Sequence, residues 1–347
     1  MSWPEGNIMI CRTDAIGDVV LTLPLSGYLK KSMPDKKVFF LGRTYTKPII
    51  ESCKNVDEFL NWDEIQHKEE KEIISLWGKW NIGIVLFVFP DKNISRLAKK
   101  AKIAHRVGTA HRWFHWLYCN HLPFFSRRKS DLHEAQLNFQ LIKPFEEPSF
   151  FSLEKLYSLT GMEQKFELPY WVKEHFNKEK FHLILHPRSK GSSREWGISN
   201  FEKLIQLLPT ERFTIYITGT KQEGESMPGL LKDLPDHVID LSGKLSLEEL
   251  ISLIQTCDGM VACSTGPLHI CAVSGKHAIG LYPPMRPLHP GRWKPIGPEV
   301  KIFSIDKNCN DCRNGGNCPC IENIRPNEVA EYLIGLTEET KIQTINI

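Results

Sequence analysis

Short apolar runs rich in β-branched and aromatic residues alternate with amphipathic stretches along nearly the whole chain. In the first half "NIMIC", "KVFFLG" and "IGIVLFVF" are followed by "VVLTLPLSGYLKK", "YTKPIIESC" and "KNISRLAKKAKIA". The second half repeats the habit with "FHLILHP", "RFTIYITG", "HVIDLSG", "GMVAC" and "HAIGLYPP", the first four followed by helical patterns. Such alternation predicts strand and helix units around parallel sheets, an α/β fold. At 347 residues the chain exceeds what one hydrophobic core usually supports, so two αβ domains in tandem are expected. The polar, proline-bearing stretch near residues 160 to 180 marks the boundary. We expect domains over 1–170 and 171–325, then a helix and frayed tail over 326–347.

Composition narrows the function classes only a little. A formal net charge of +3 excludes nothing globally, so charge matters where it clusters. No basic start, apolar core and cleavage site opens the chain, and the longest apolar run, Ile82 to Phe89, is far too short to span a bilayer. A soluble or peripheral, cytoplasmic protein is expected. Ten cysteines are many, but Cys11, Cys257, Cys263 and Cys271 lie in apolar or helix-opening segments, which fits buried thiols in a reducing compartment.

Three loops of the second half carry ligand chemistry. After "GMVAC", Ser264, Thr265 and Gly266 form a hydroxyl-rich turn, Pro267 suits the first turn of a helix, and His269 follows. A helix start there offers free N–H groups and partial positive charge to a phosphate, or is an ordinary Ser or Thr cap. "HPRSKGSSREW" gathers Arg188, Lys190 and Arg194, either to hold a diphosphate or as a solvated basic turn. "ITGTKQE" ends a strand at Gly219 and Thr220, with Glu223 placed to accept from ribose hydroxyls or a base. Open α/β sheets bind ligands at the carboxyl ends of their strands, so the agreement of three loops counts for more than any one. Neither G-x-G-x-x-G in the N-terminal half nor G-K-[ST] nor D-x-D occurs, so a diphosphate would depend on helix dipoles and basic side chains.

Lys92 to Lys129 holds ten Lys or Arg, four His and no acid, interleaved with Trp113, Phe114, Trp116, Tyr118, Phe124 and Phe125. A solvated face, a nucleic-acid face, a membrane-surface patch and a pocket for a phosphorylated amphiphile compete; the aromatics favour something half apolar, and no nucleic-acid module is evident. Cys309, Cys312, Cys318 and Cys320 at C-x2-C-x5-C-x-C spacing could hold a structural Zn²⁺ or iron–sulfur cluster, or stay thiols or a disulfide.

Together these loops resemble glycosyltransferase family 9, the lipopolysaccharide heptosyltransferases. "RTDAIGDVVLTLP" is similar to that family's opening signature; "RVG" at 106 to 108 and "HEAQLN" at 133 to 138 resemble later markers, and "HP…REW", "GTKQE" and "STGPLH" resemble its nucleotide-sugar loops. The resemblance implies two Rossmann-like domains facing a cleft, the GT-B type, with acceptor on the N-terminal domain and nucleotide sugar on the other. It makes Asp18 the catalytic base. It places donor contacts on Arg194, Glu223, Thr265 and Gly266, with Ser264 where the family usually has an acid, Arg194 where it has lysine, and "HPR" for "HPG". The expected activity is inverting, metal-independent transfer of a heptose from an ADP-heptose-like donor to a phosphorylated glycolipid, with no cofactor required. Arg12, Asp14, Gly17, Arg106, Arg127, Arg128 and Lys129 are expected at the acceptor and at an anionic inner membrane. The rivals are another nucleotide sugar on the same fold, or a non-catalytic sugar-nucleotide or glycolipid binder.

Overall fold

A computed structural model describes residues 3–127, 130–147, 151–286, 288–305, 309 and 318–345. The chain divides into two units, Met1–Glu163 and Gln164–Ile347. Each is built on an all-parallel sheet, and both sheets are layered with helices.

The first sheet contains β1 (Asn7–Cys11), β2 (Val38–Gly42), β3 (Glu58–Asn61), β4 (Ile82–Phe87) and β5 (His105–Val107), in the order β3-β2-β1-β4-β5. β2 is buried along its whole length and β1 after its first residue. Helices cover both faces of a parallel sheet, which is why these strands read as continuous apolar runs. Met9, Cys11, Phe39, Leu41, Val85 and Phe87 pack on one side against Trp77, Ile94 and Leu97 from the covering helices. The stretch "VVLTLPLSGYLKK" divides into helices Ile16–Val20 and Leu23–Ser32, because Pro24 begins a new first turn.

In the second unit β6 (Phe181–His186), β7 (Phe213–Ile217), β8 (Val238–Asp240), β9 (Gly259–Cys263), β10 (His277–Leu281) and β11 (Val300–Phe303) lie in the order β11-β10-β9-β6-β7-β8. Leu183, Leu185, Ile215, Ile217, Val261 and Ile279 meet Phe201 and Leu204 of the Ile198–Leu207 helix, together with Val329 and Leu333 of the helix Pro326–Ile345. That last helix is therefore part of the second unit's core.

Both sheets reverse their direction of growth beside the first strand. In the first sheet the switch falls between β1 and β4, and in the second between β6 and β9. Loops leaving the carboxyl ends of such neighbours diverge and leave a crevice for ligand. Among the described residues no helix is long and apolar enough to cross a membrane.

Candidate functional site

At the first switch point the loop after β1 carries Arg12, whose guanidinium is only 3% exposed. A cation so deeply buried needs partners on every side. Its Nε donates to Asp14 at 2.7 Å, one Nη to Glu134 at 3.3 Å and the other to Asp18. Glu134, 1% exposed, also receives Arg127. Three carboxylates thus face two guanidinium groups.

Burial and the surrounding charges together set the acid–base chemistry. Burial pushes the Asp18 carboxyl up; Arg12 opposes this, while Asp14 and Glu134 reinforce it, and the result is about 6 against an ordinary 3.8. Asp14 also rises through burial, against the pull of Arg12. Burial would lower Arg12, but Asp18, Asp14 and Glu134 together hold it protonated. Asp18 lies in the first turn of Ile16–Val20, next to Gly17, and remains one-fifth exposed. It is a partly desolvated carboxylate open to solvent on one side.

The segment "HEAQLN" explains how Glu134 is aimed. His133 Nδ1 accepts from Ala135 N at 3.2 Å and Gln136 Oε1 accepts from His133 N at 2.9 Å, a reciprocal cap that starts the helix Glu134–Asn138. One turn on, Asn138 Nδ2 donates to Leu21 O at 3.0 Å and Thr22 Oγ1 at 3.2 Å, while Thr22 Oγ1 donates to Asp18 O at 2.8 Å. Arg127 closes the ring by donating to Asn138 Oδ1 at 3.1 Å and Val88 O at 3.2 Å. Tyr45, from the loop after β2, donates to Asp14 O.

At the second switch point three neighbouring strands present loops. β9 ends at Cys263, and the helix Gly266–Val273 begins with Thr265 as N-cap and Pro267 in its first turn. No side chain caps this helix. Ser264 is turned to Tyr282, and Thr265 Oγ1 is buried without a hydrogen-bond partner. The turn is therefore not an ordinary hydroxyl cap, and its N-terminal dipole is left for an anion. His269 is buried on the same helix.

In the loop after β6, Arg188 donates to Glu195 at 2.9 Å and to Ser226 O at 2.7 Å. Glu195 Oε1 also accepts from Ser189 N at 2.9 Å. Trp196 is fully buried and donates to Ile324 O at 2.8 Å. Arg188, Glu195 and Trp196 thus brace the loop from within, while Lys190 is exposed at a left-handed φ of 49° beside Gly191. Arg194 lies half-buried between the bracing residues. Beyond β7, Gly219 leads to Thr220, the cap of the Lys221–Glu225 helix; Glu223 Oε2 accepts from Thr220 N at 2.7 Å and Oγ1 at 2.9 Å. That capping box engages only the Oε2 oxygen of Glu223. His186, lowered by burial, bonds Thr218 at 2.9 Å.

Not every expected residue joins these groups. Arg106 donates to Tyr118 O at 2.8 Å and to Ile103 O, bracing the chain around β5. Arg128, Lys129 and Cys312 lie outside the described residues. The metal expectation finds no support among the described residues, where no group of three His, Cys, Asp or Glu side chains could hold an ion. Cys309, Cys318 and Cys320 are buried instead in the apolar core of the second unit. Cys11, Cys53, Cys119, Cys257, Cys263, Cys271, Cys309 and Cys318 are buried free thiols.

The model of glycosyltransferase family 9 (heptosyltransferase) matches residues 97–319, well over half of the chain. The chain belongs to glycosyltransferase family 9. A Haemophilus influenzae chain described provisionally as a glycosyltransferase is 26% identical over 328 residues, covering 89% of this chain and 90% of its own. Lipooligosaccharide heptosyltransferase 2 of Campylobacter jejuni is 20% identical, covering 94% and 97%. Among solved structures, the Escherichia coli ADP-heptose LPS heptosyltransferase II superposes with a TM-score of 0.73 at 18% identity, covering 96% of this chain and 99% of that one. The fold is the GT-B type with two Rossmann-like domains, and the protein is a glycosyltransferase of the heptosyltransferase family. Sequence reasoning missed Glu134 at its centre. The signal was a lone acid inside a family marker, with nothing local to show that it meets Arg12 across 122 positions.

Proposed function

We propose that this family 9 enzyme transfers a heptose from an ADP-heptose-like donor to a phosphorylated lipopolysaccharide core or related glycolipid, inverting the anomeric carbon. The observation that carries the reading is Asp18, an accessible carboxylate raised to about 6 inside the Arg12, Asp14, Glu134 and Arg127 cluster. At neutral pH it is ionised, yet far better matched to accept a proton than an ordinary aspartate. As the acceptor hydroxyl attacks, Asp18 takes its proton and the nucleoside diphosphate leaves. Attack opposite the leaving group inverts configuration. Asp14 orients Arg12 and the acceptor.

The uncapped helix at Thr265 and Gly266, with Lys190 and Arg194, supplies positive potential for the diphosphate. No metal is needed in that scheme. Glu223 Oε1 accepts from the nucleoside. The named function of the E. coli structural neighbour, an ADP-heptose enzyme, supports the choice of adenine nucleotide. Because such an acceptor is lipid-borne, the reaction takes place at the cytoplasmic face of an anionic membrane.

Calorimetric titration with ADP, UDP and GDP tests the donor, using wild type and Glu223→Gln. Glutamine keeps the capping box and removes the charge. Preferential ADP binding, weakened by the substitution, is expected, together with transfer from ADP-heptose that survives EDTA. Preference for UDP or GDP, or transfer that EDTA abolishes and Mg²⁺ restores, refutes the corresponding part.

A further inference from the structure

Apart from Arg127, the basic and aromatic stretch is used by neither ligand group, and the structure divides it into two unlike parts. Arg127 turns inward to Glu134, and Arg96 and Lys100 both pair with Glu70. These cations are neutralised. What faces solvent is the helix Trp113–Tyr118 and the segment after it: Trp113 is 64% exposed, Trp116 65%, Leu117 52% and Phe124 79%. Positions 113, 116 and 117 share one helix face.

Single exposed apolar residues are ordinary, but a contiguous set of large ones marks an interaction surface. This set is held in place before anything binds. His115, fully buried, fastens the helix through Thr109 O at 3.0 Å and stacks near Phe87. Gly108 permits this, since a Cβ there would come within 2.5 Å of the His115 ring. Trp116 donates its indole N–H to Ala110 O at 2.8 Å, so its polar edge is satisfied and its apolar face points outward. Phe124 rests on His111 at 4.7 Å between centroids.

Around the aromatics stand cations without carboxylate partners among the described residues. Lys92 lies 4.9 Å over the Trp113 ring, Lys99 donates to Leu117 O at 2.8 Å, and Arg112 is the exposed N-cap of the helix. The neighbouring acid, Asp91, is turned to Ile94 N at 2.8 Å as a helix cap. Indole and phenyl groups ringed by unpaired lysine and arginine match a bilayer interface: rings enter the headgroup region while the cations meet lipid phosphates.

We infer that Trp113, Trp116, Leu117 and Phe124, with Lys92, Lys99 and Arg112, form the surface by which this enzyme docks on an anionic lipid membrane. The inference rests on the reading that the acceptor is lipid-borne and names the part of the chain that meets the lipid. The membrane anchor is a preformed helix face with Phe124 beside it, and it does not use Arg127.

Sedimentation with vesicles of phosphatidylethanolamine and phosphatidylglycerol tests it, with phosphatidylcholine vesicles as the neutral control. Wild type should bind the anionic vesicles and release in high salt. Trp113→Ser/Trp116→Ser should weaken binding by about tenfold or more, and Lys92→Gln/Lys99→Gln/Arg112→Gln should weaken it at low salt. The single Phe124→Ser, at the most exposed site, gives a variant whose folding is not at risk and should also bind more weakly. Transfer to a lipid-free phosphorylated core oligosaccharide should be unchanged in all three variants. Vesicle binding that none of the substitutions alters, or equal binding to phosphatidylcholine, overturns the surface while transfer to the soluble acceptor leaves the function standing. A loss of vesicle binding in the variants supports the surface even if wild type transfers nothing to that acceptor, which would instead defeat the proposed function. Sedimentation velocity closes the remaining route: if the substitutions dissociate a dimer and leave lipid binding intact, the patch is a subunit contact and the inference is wrong.

Discussion

Glu134→Gln should move the acid limb of the pH–rate profile to lower pH. In the wild type Asp18 stands at about 6, which corresponds to about 3 kcal/mol against its ionised form relative to an ordinary aspartate. With Asp18 as base, kcat/KM should fall about tenfold between about pH 7 and about pH 5, where an unperturbed aspartate would lose almost nothing. Glu134 and Asp18 bind the same guanidinium. Two like charges about 6 Å apart repel by about 0.7 kcal/mol in water and by about 3 kcal/mol at an effective dielectric of about 20. Asp18 is one-fifth exposed and lies between those limits, so removing the Glu134 charge should lower the limb by about one pH unit. The assay is release of nucleoside diphosphate across the pH range, at a temperature where thermal melting shows the variant folded. That control matters because losing one partner of a buried ion pair costs about 3–5 kcal/mol. A limb that stays at about 6 in the variant, or one already near 4 in the wild type, would refute the electrostatic account of Asp18.

Asp18→Asn should cost several orders of magnitude in turnover while leaving donor affinity unchanged. It should also stabilise the protein: the folded state holds the Asp18 proton more tightly than the unfolded chain, so ionisation destabilises above about pH 6 and has no effect below about pH 4. A melting temperature several degrees higher near pH 7.5, with the gain gone in acid, is the expected signature. Thr265→Val removes a buried hydroxyl that has no partner in the free protein, so it should leave stability unchanged or up to about 1 kcal/mol higher and weaken ADP binding by about tenfold. Equal ADP affinity in that variant would remove Thr265 from the donor site.

The strands that could be read from sequence are the ones buried on both faces, such as β1, β2, β6 and β9. β3, β5 and β11, short edge strands in which at most one residue is buried, were not read, whereas the equally short edge strand β8 was, because Val238 and Ile239 stand just before the turn signal "DLSG". Their pairing comes from the neighbouring strand, and a three-residue stretch such as "HRV" carries no period. The resemblance that offers Asp18 as the base rests on one contiguous stretch, "RTDAIGDVVLTLP". The partners of Arg127 could not be read, because it stands in a run without acids and Glu134 and Asn138 are supplied by the next helix. The capping role of Glu223 was open to view in "TKQE", a T-x-x-E pattern, but it is compatible with ligand binding, since only one carboxylate oxygen is engaged.

The cluster around Arg12 also gives a physical reason for the proposed base to be one member of a group. Burial alone would raise a lone aspartate on the helix Ile16–Val20 but leave its oxygens without a fixed partner. Pairing it with Arg12 alone would fix those oxygens and pull its proton affinity back down. Adding Asp14 and Glu134 restores proton affinity without removing Arg12, which still fixes the position of the Asp18 oxygens. Arg127 then limits the excess by pairing with Glu134. The arrangement leaves one uncompensated negative charge, and Asp18 is the member raised to about 6. A substitution that changes the charge count should therefore retune the base, whereas one that keeps the count and alters only shape should change turnover through position and leave the pH limb where it is.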